Sequence, residues 1–259
     1  CIRDRIVYGA FEYQNVDFGY NSKFYYPVKG GIQSLPGALA QRVKNIRLNT
    51  NANKIFWKDK KVSFNGNTLT EYETLISTMP LPELLKSLDP FPEELKWALG
   101  ALKWRSVHCL NLGVKKRDVI NRHWIYFPED EYIFYRVGFA HNFARESAPK
   151  DSSSLYIEIA TEPNEESSVN KLFGKAIIDL NRLNILAKED KITALQYMPM
   201  PYAYVLYNSD RQKALKIIFE FLRNNSIHSI GRYGAWKYSF MEESILDGKR
   251  LAEKLLKNR

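Results

Sequence analysis

Cysteine is nearly absent. The 259-residue chain holds two, Cys1 and Cys109, in no C-x-x-C or metal-ligand spacing. That leaves no disulfide framework and no thiolate metal site, and a reducing, cytoplasmic setting is the simpler expectation. The four histidines, His108, His123, His141 and His228, lie far apart with no H-x-x-x-H or H-x-H spacing, so no metal centre is expected. No apolar run reaches the length of a membrane span, and the first residues lack the apolar core of a signal peptide. A nucleophile elbow of the G-x-S-x-G type is missing. So is any G-x-G, the start of a dinucleotide phosphate loop; the only adjacent glycines are Gly30 and Gly31.

What is present describes a globular chain. Hydrophobic residues make up 45% and aromatics 14%, enough for a buried core in one large or two medium domains. The 16 tyrosines and 5 tryptophans suit a cavity lined with amphipathic rings, although ordinary packing accounts for most such residues. The formal net charge is +9, but basic residues are interleaved with acids, as in Glu242-Glu243 beside Lys249-Arg250. With no nucleic-acid motif in view, a solvated basic surface is the better reading, and no nucleic-acid partner is expected. Part of that charge is available to attract an anionic substrate.

Local patterning sorts the chain into elements. Strand signals dominate 104–160, at Ser106–Leu112, Trp124–Phe127, Ile133–Val137 and Leu155–Ile159, several with period-two alternation. Helical patterns fall at 81–88, 91–102, about 166–187 and 209–223. Asn65-Gly66 marks a hairpin turn between strands near 62–64 and 68–75. Cys109 sits among apolar neighbours in a strand, where a packed core thiol is the default.

Two segments carry more. Gly231-Arg232-Tyr233-Gly234 leads into Ser239-Phe240-Met241-Glu242, where Ser and Glu three apart form a capping box before Ile245, Leu246, Ala252, Leu255 and Leu256. The glycines allow a close backbone approach, and the helix amides after them offer positive potential. A small-molecule site and an ordinary terminal helix fit this stretch equally. Upstream, Tyr26-Pro27-Val28-Lys29-Gly30-Gly31 precedes a helix with Ser34 as its cap and Pro36 in its first turn. Ile46–Thr50, Lys54–Trp57, Val62–Phe64 and Leu75–Pro80 then follow.

The Gly231–Gly248 string closely resembles the C-terminal FAD-contacting segment of the flavin amine oxidase, protoporphyrinogen oxidase and UDP-galactopyranose mutase superfamily. The upstream order resembles the same superfamily: a GG turn, a helix, a strand contacting adenine, a hairpin and a strand ending near the cofactor. The likeness covers most of the chain, more loosely from about 160 to 195. It implies an α/β (α+β) fold, part of a FAD-binding domain interleaved with a substrate domain on a largely antiparallel sheet. Residues 24–80 and 226–259 would be the remainder of the FAD domain, and 1–23 with 81–225 the substrate-binding domain. Gly30, Gly31, Ala52, Gly231, Arg232, Met241, Glu242 and Ser244 then fall at cofactor-binding positions.

The segment from Trp124 to Phe143 resembles eukaryotic-type UDP-galactopyranose mutases in particular. By that match Tyr126, Arg136, Tyr204 and Tyr238 are substrate-pocket residues, and Arg136 holds an anionic group. The competing account of Arg136, an arginine in a strand between Tyr135 and Val137, is a structural ion pair with a carboxylate such as Glu158. Phe143 stands where those mutases carry a diphosphate-binding tyrosine.

Because the phosphate loop is lacking and the chain starts at Cys1, the resemblance implies the C-terminal part of a longer flavoprotein. Its partner would be the missing N-terminal FAD-binding segment, and this chain alone would hold FAD weakly or not at all. The expected chemistry is hydride transfer from a bound substrate to flavin, as in amine and porphyrinogen oxidases. The alternatives are a mutase acting on a sugar nucleotide and a flavin-free binding module derived from such an enzyme. No catalytic residue is assigned.

Overall fold

The residues with the clearest period-two alternation pair into one antiparallel sheet. In the computed structural model, residues 25–257 are described apart from 67 and 166. The expected placement of 1–23 in the substrate domain, and Cys1 with it, lies outside the described residues. In chain order come helix α1 (Ser34–Ala40) and strands β1 (Ala52–Phe56), β2 (Lys61–Phe64), β3 (Thr68–Glu71) and β4 (Leu75–Ser77). Helices α2 (Leu81–Lys86) and α3 (Lys96–Ala101) follow, then β5 (Lys103–Val114), β6 (Trp124–Tyr126), β7 (Arg136–Phe139) and β8 (Ser153–Thr161). Helix α4 (Val169–Arg182), β9 (Ile192–Leu206), α5 (Arg211–Asn224), β10 (Ile227–Ser229), the single turn α6 (Gly231–Gly234) and α7 (Met241–Lys257) complete the order.

The fold is α/β with separate antiparallel and parallel pieces. β1, β2 and β3 form a meander, and β4 pairs with β10 in parallel. The large sheet has the order β6-β7-β8-β5-β9, all antiparallel. Asn65 and Gly66 both adopt left-handed backbone between β2 and β3, as an Asn-Gly hairpin turn requires.

Alternation gives the large sheet two unlike faces. Leu110, Leu112, Val137, Phe139, Leu155 and Ile157 point to one side and are 2% exposed or less. Leu172, Phe173, Ala176 and Leu180 of α4 cover them in one apolar cluster. Burying each such large side chain stabilises the fold by about 1.5–3 kcal/mol. The other face carries Tyr126, Arg136, Glu158 and Cys109 in direct cross-strand register. A second apolar cluster joins Ile55, Val62, Leu81, Leu84, Ala214, Ile218, Ile227 and Trp236. It ties α2 and α5 to the meander and to β10.

Several local expectations shift. Ile46–Thr50 is not a strand: no neighbouring strand among the described residues offers it a ladder, and Leu48 is 80% exposed. The 91–102 pattern splits into a short turn of 3-10 helix at Glu93–Leu95 and helix α3. Ser34 is the first helical residue rather than the cap, and its hydroxyl donates to the Gly31 carbonyl at 2.9 Å. The box before α7 is displaced by one: the Glu243 carboxylate accepts from the Phe240 amide at 3.0 Å, while the Ser239 hydroxyl is buried without a partner. Strand β7 begins at Arg136, since the Ile133 amide donates instead to Asp179 of α4 at 3.0 Å. Arg136 therefore opens its strand. The longest strand, β9, was hidden by Pro199 and Pro201; it lies at the sheet edge, where missing amide donors are tolerated.

Candidate functional site

The face of the large sheet turned away from α4 gathers the expected substrate residues. Tyr126 lies opposite Arg136, and Arg136 opposite Glu158, so three side chains on three strands converge. Arg136 donates through Nη1 to the Tyr126 hydroxyl at 3.1 Å. Its Nη2 donates to Glu158 Oε1 at 2.5 Å and to the Tyr204 hydroxyl at 3.4 Å. The other Glu158 oxygen accepts from the Tyr135 hydroxyl. Side-chain exposure is 21% for Arg136 and 8% for Glu158, so the pair is largely desolvated.

Tyr204 links this group to the C-terminal segment. Its ring stacks near the ring of Tyr238, centroids 6.4 Å apart and planes 18° apart. Arg232 sits over both, 5.5 Å from the Tyr204 centroid and 4.7 Å from that of Tyr238. It donates to the carbonyls of Ser239 at 3.0 Å and Ala203 at 3.1 Å, fastening the stretch between α6 and α7 onto β9. Tyr126, Arg136, Tyr204, Tyr238 and Arg232, separated widely in sequence, thus form one connected cluster. Tyr126 and Tyr238 are 56% and 51% exposed, so the cluster opens to solvent.

The electrostatics follow from burial and pairing. Burial opposes the charge on Arg136, but the Glu158 carboxylate outweighs it and holds the guanidinium pKa above its usual range. Burial first, and the bond to Glu158 second, push the Tyr135 phenol well up, so it stays protonated. Tyr156 on the same face is pushed up to about 12, chiefly by burial. Cys109 is pushed up to about 11 by burial and by Glu158, which leaves it a packed thiol.

The expected cofactor positions divide. Gly231 has φ +78° with open space where a side chain would start, and it precedes the N-terminus of the 17-residue helix α7. Gly30 and Gly31 are both left-handed, at φ +75° and +61°. Tyr26, just before them, packs against Phe143 with centroids 5.4 Å apart. Phe143 in turn stacks on Trp124 at 5.9 Å. No hydrogen bond or ring contact among the described residues joins Gly30, Gly31 or Ala52 to the arginine cluster; Ala52 pairs with Phe64 in the meander. Met241 and Glu242 are exposed in the first turn of α7, and Ser244 donates to the Phe240 carbonyl. The open space beside Gly231, ahead of the positive N-terminal end of α7, fits a flat electron-accepting ring such as flavin.

Patterning alone did not single out Tyr135 or Tyr156. Glu158 stood out only as a possible ion-pair partner, although an acid inside the apolar string Leu155–Ile159 is itself a signal, since carboxylates are seldom buried unpaired. Tyr156 is tied to Gly138, a link that only the strand register reveals.

An open sheet face joined through Arg232 to the glycine-containing segment ahead of α7 is an arrangement suited to a small-molecule site. Residues 8–256 match the model of the flavin containing amine oxidoreductases, and the chain belongs to that family of flavin-dependent oxidoreductases. Among solved structures, a reduced UDP-galactopyranose mutase superposes with a TM-score of 0.86 at 23% identity, covering 100% of this chain and 57% of that one. A putative protoporphyrinogen oxidase from Exiguobacterium gives 0.71 at 16% identity, over 88% of this chain and 51% of the other. A putrescine oxidase variant gives 0.65 at 16% identity, over 89% and 53%. At these identities the likeness is one of fold. The chain spans little more than half the length of these structures. Among the described residues, no helix is long and apolar enough to cross a membrane.

Proposed function

We propose that this chain is the C-terminal part of a FAD-dependent oxidoreductase of the amine oxidase and protoporphyrinogen oxidase type. The observation that carries this is the convergence of Tyr126, Arg136, Tyr204 and Tyr238 beside the Gly231–Met241 segment. In this reading the open sheet face binds the substrate, and 24–80 with 226–259 complete the FAD-binding domain. Gly231 and the first amides of α7 take the flavin, whose chemistry is to accept a hydride. The tyrosine hydroxyls and Arg136 orient the substrate, and the buried face under α4 keeps that platform rigid.

A further segment bearing the phosphate loop would complete the cofactor domain. A parallel sheet with two strands among the described residues supports this, because parallel strands normally lie inside larger sheets covered on both faces. So do Met241, Ile245 and Leu256 on α7, which are 45–69% exposed. Without that segment the chain should purify with little FAD.

A second reading, a sugar-nucleotide mutase, draws on Arg136 standing between two tyrosine hydroxyls. Against it, Phe143 packs its ring on Trp124 and Tyr26 and offers no hydroxyl to a diphosphate. The test is anaerobic mixing of the full-length flavoprotein with amines and porphyrinogens. Bleaching of the oxidised flavin band supports the oxidoreductase. No bleaching, together with rearrangement of UDP-galactose only after the flavin has been chemically reduced, supports the mutase.

A further inference from the structure

We propose that Glu158 is a specificity-determining residue: it cancels the charge of Arg136 and fixes its guanidinium, so the site selects a neutral or singly anionic ligand over a diphosphate. The inference rests on the reading that this sheet face binds substrate, and it concerns which substrates the face accepts.

The geometry leaves Arg136 little freedom. Nη2 is bonded to Glu158 at 2.5 Å, Nη1 to Tyr126 at 3.1 Å, and Nε is buried with no hydrogen-bond partner. Presenting two parallel N–H groups to a phosphate would require turning the fork away from Glu158. That carboxylate is 8% exposed and would lose its only charged partner among the described residues, leaving a buried charge held by a neutral hydroxyl alone. The Tyr135 hydroxyl holds its second oxygen and keeps the acceptor aimed along the strand ladder. Arg136 is therefore a hydrogen-bond donor of fixed direction whose net field is cancelled.

Arg232 differs. It donates only to the neutral carbonyls of Ser239 and Ala203, lies against tyrosine rings, and has no carboxylate partner among the described residues. Of the two guanidiniums in the cluster, Arg232 alone carries uncompensated charge. A single uncompensated cation beside three tyrosine hydroxyls matches one negative charge at most. The two charges of a diphosphate exceed it.

The test is binding of inorganic pyrophosphate to the 259-residue chain, followed by titration calorimetry at low ionic strength. Glu158→Gln keeps the shape and one acceptor but uncovers Arg136. Its pyrophosphate affinity should rise on the order of tenfold, with a steeper salt dependence. Equal or weaker binding in a variant that melts cooperatively would overturn the proposal. Should Glu158→Gln not fold, the double variant Arg136→Gln/Glu158→Gln restores neutrality and is compared with Arg232→Gln. The double variant should bind pyrophosphate as the unaltered chain does, whereas Arg232→Gln should lose that binding. Loss in the double variant would mean that Arg136 carries the anion, and the proposal fails. Because the readout is anion binding without flavin, it can fail or succeed independently of the oxidoreductase reading.

Discussion

The ring of Tyr156 lies across Gly138 on the neighbouring strand, so close that a Cβ there would fall 1.8 Å from the ring Cζ. Gly138 is thus a slot rather than a flexible point: its missing side chain lets an aromatic ring lie across it on the face of the sheet that carries Arg136. Two positions from it stand Arg136 on one strand and Glu158 on the other, so the slot shapes the floor beside the arginine cluster.

Gly138→Ala should therefore destabilise the chain by about 1–3 kcal/mol, the usual cost of overpacking. The check is chemical denaturation, with the denaturant midpoint falling and the slope unchanged. Tyr156→Ala in the same background should recover part of the loss, since it removes the clashing ring. If Gly138→Ala melts like the unaltered chain, the ring does not occupy the slot.

A pH effect follows from His141. It is 2% exposed, its Nδ1 is matched to Ser154 and its Nε2 has no partner. Burial, the largest cause, holds its pKa below the ordinary value of about 6.5. The unfolded chain then binds the proton more readily than the folded one. Stability is full above about 6.5 and falls as pH drops through the window beneath it, by at most about 1.4 kcal/mol per pH unit for one group. His228 is shifted the same way, by burial and then by Lys254, so His141→Gln should flatten the slope without abolishing it. Urea melts from pH 7 to pH 5 would show this; an identical slope in the variant would refute the assignment.

Cys109 should resist alkylation in the folded chain. Its thiol is buried and its pKa pushed up to about 11, so the reactive thiolate is scarce at neutral pH. Peptide mapping after iodoacetamide treatment should find Cys109 unmodified under native conditions and modified in denaturant. Rapid native labelling would show that this sheet face opens.

Much of the architecture was legible because burial follows period. Strands β5 and β8 and helices α4 and α5 lie where alternation or a helical stripe puts them. The misses have separate physical causes. Strand β9 carries prolines, which read as breaks unless its edge position is known. Ile46–Thr50 has strand-like residues but no ladder partner, and propensity alone cannot supply one. In the cluster, Arg136 and the tyrosines were named through resemblance, whereas Tyr135 and Tyr156 depend on register across β7 and β8. Sequence separation conceals that register entirely. The cap before α7 slipped by one residue because Glu242 and Glu243 are adjacent, and only the fold decides which carboxylate turns back.

Gly231 offers the sharpest test of the cofactor segment. Its φ of +78° lies in the left-handed region, which costs a β-branched residue on the order of 1–3 kcal/mol. Among the described residues, no atom beyond its chain neighbours stands within 4 Å of its absent side chain, so the cost there is conformational rather than a clash. Gly231→Val should lower the melting temperature by that backbone strain. Gly231→Asn should lower it less, because asparagine tolerates the left-handed region. Their effects on flavin should rank differently. If the open space over Gly231 is where the ring approaches, both side chains obstruct it, and the full-length protein should lose bound flavin in both variants, whatever their melting temperatures. Flavin content is read from absorbance per chain after gel filtration. Full occupancy in Gly231→Asn would mean that the space over Gly231 is not the flavin's path, leaving the glycine a turn residue only.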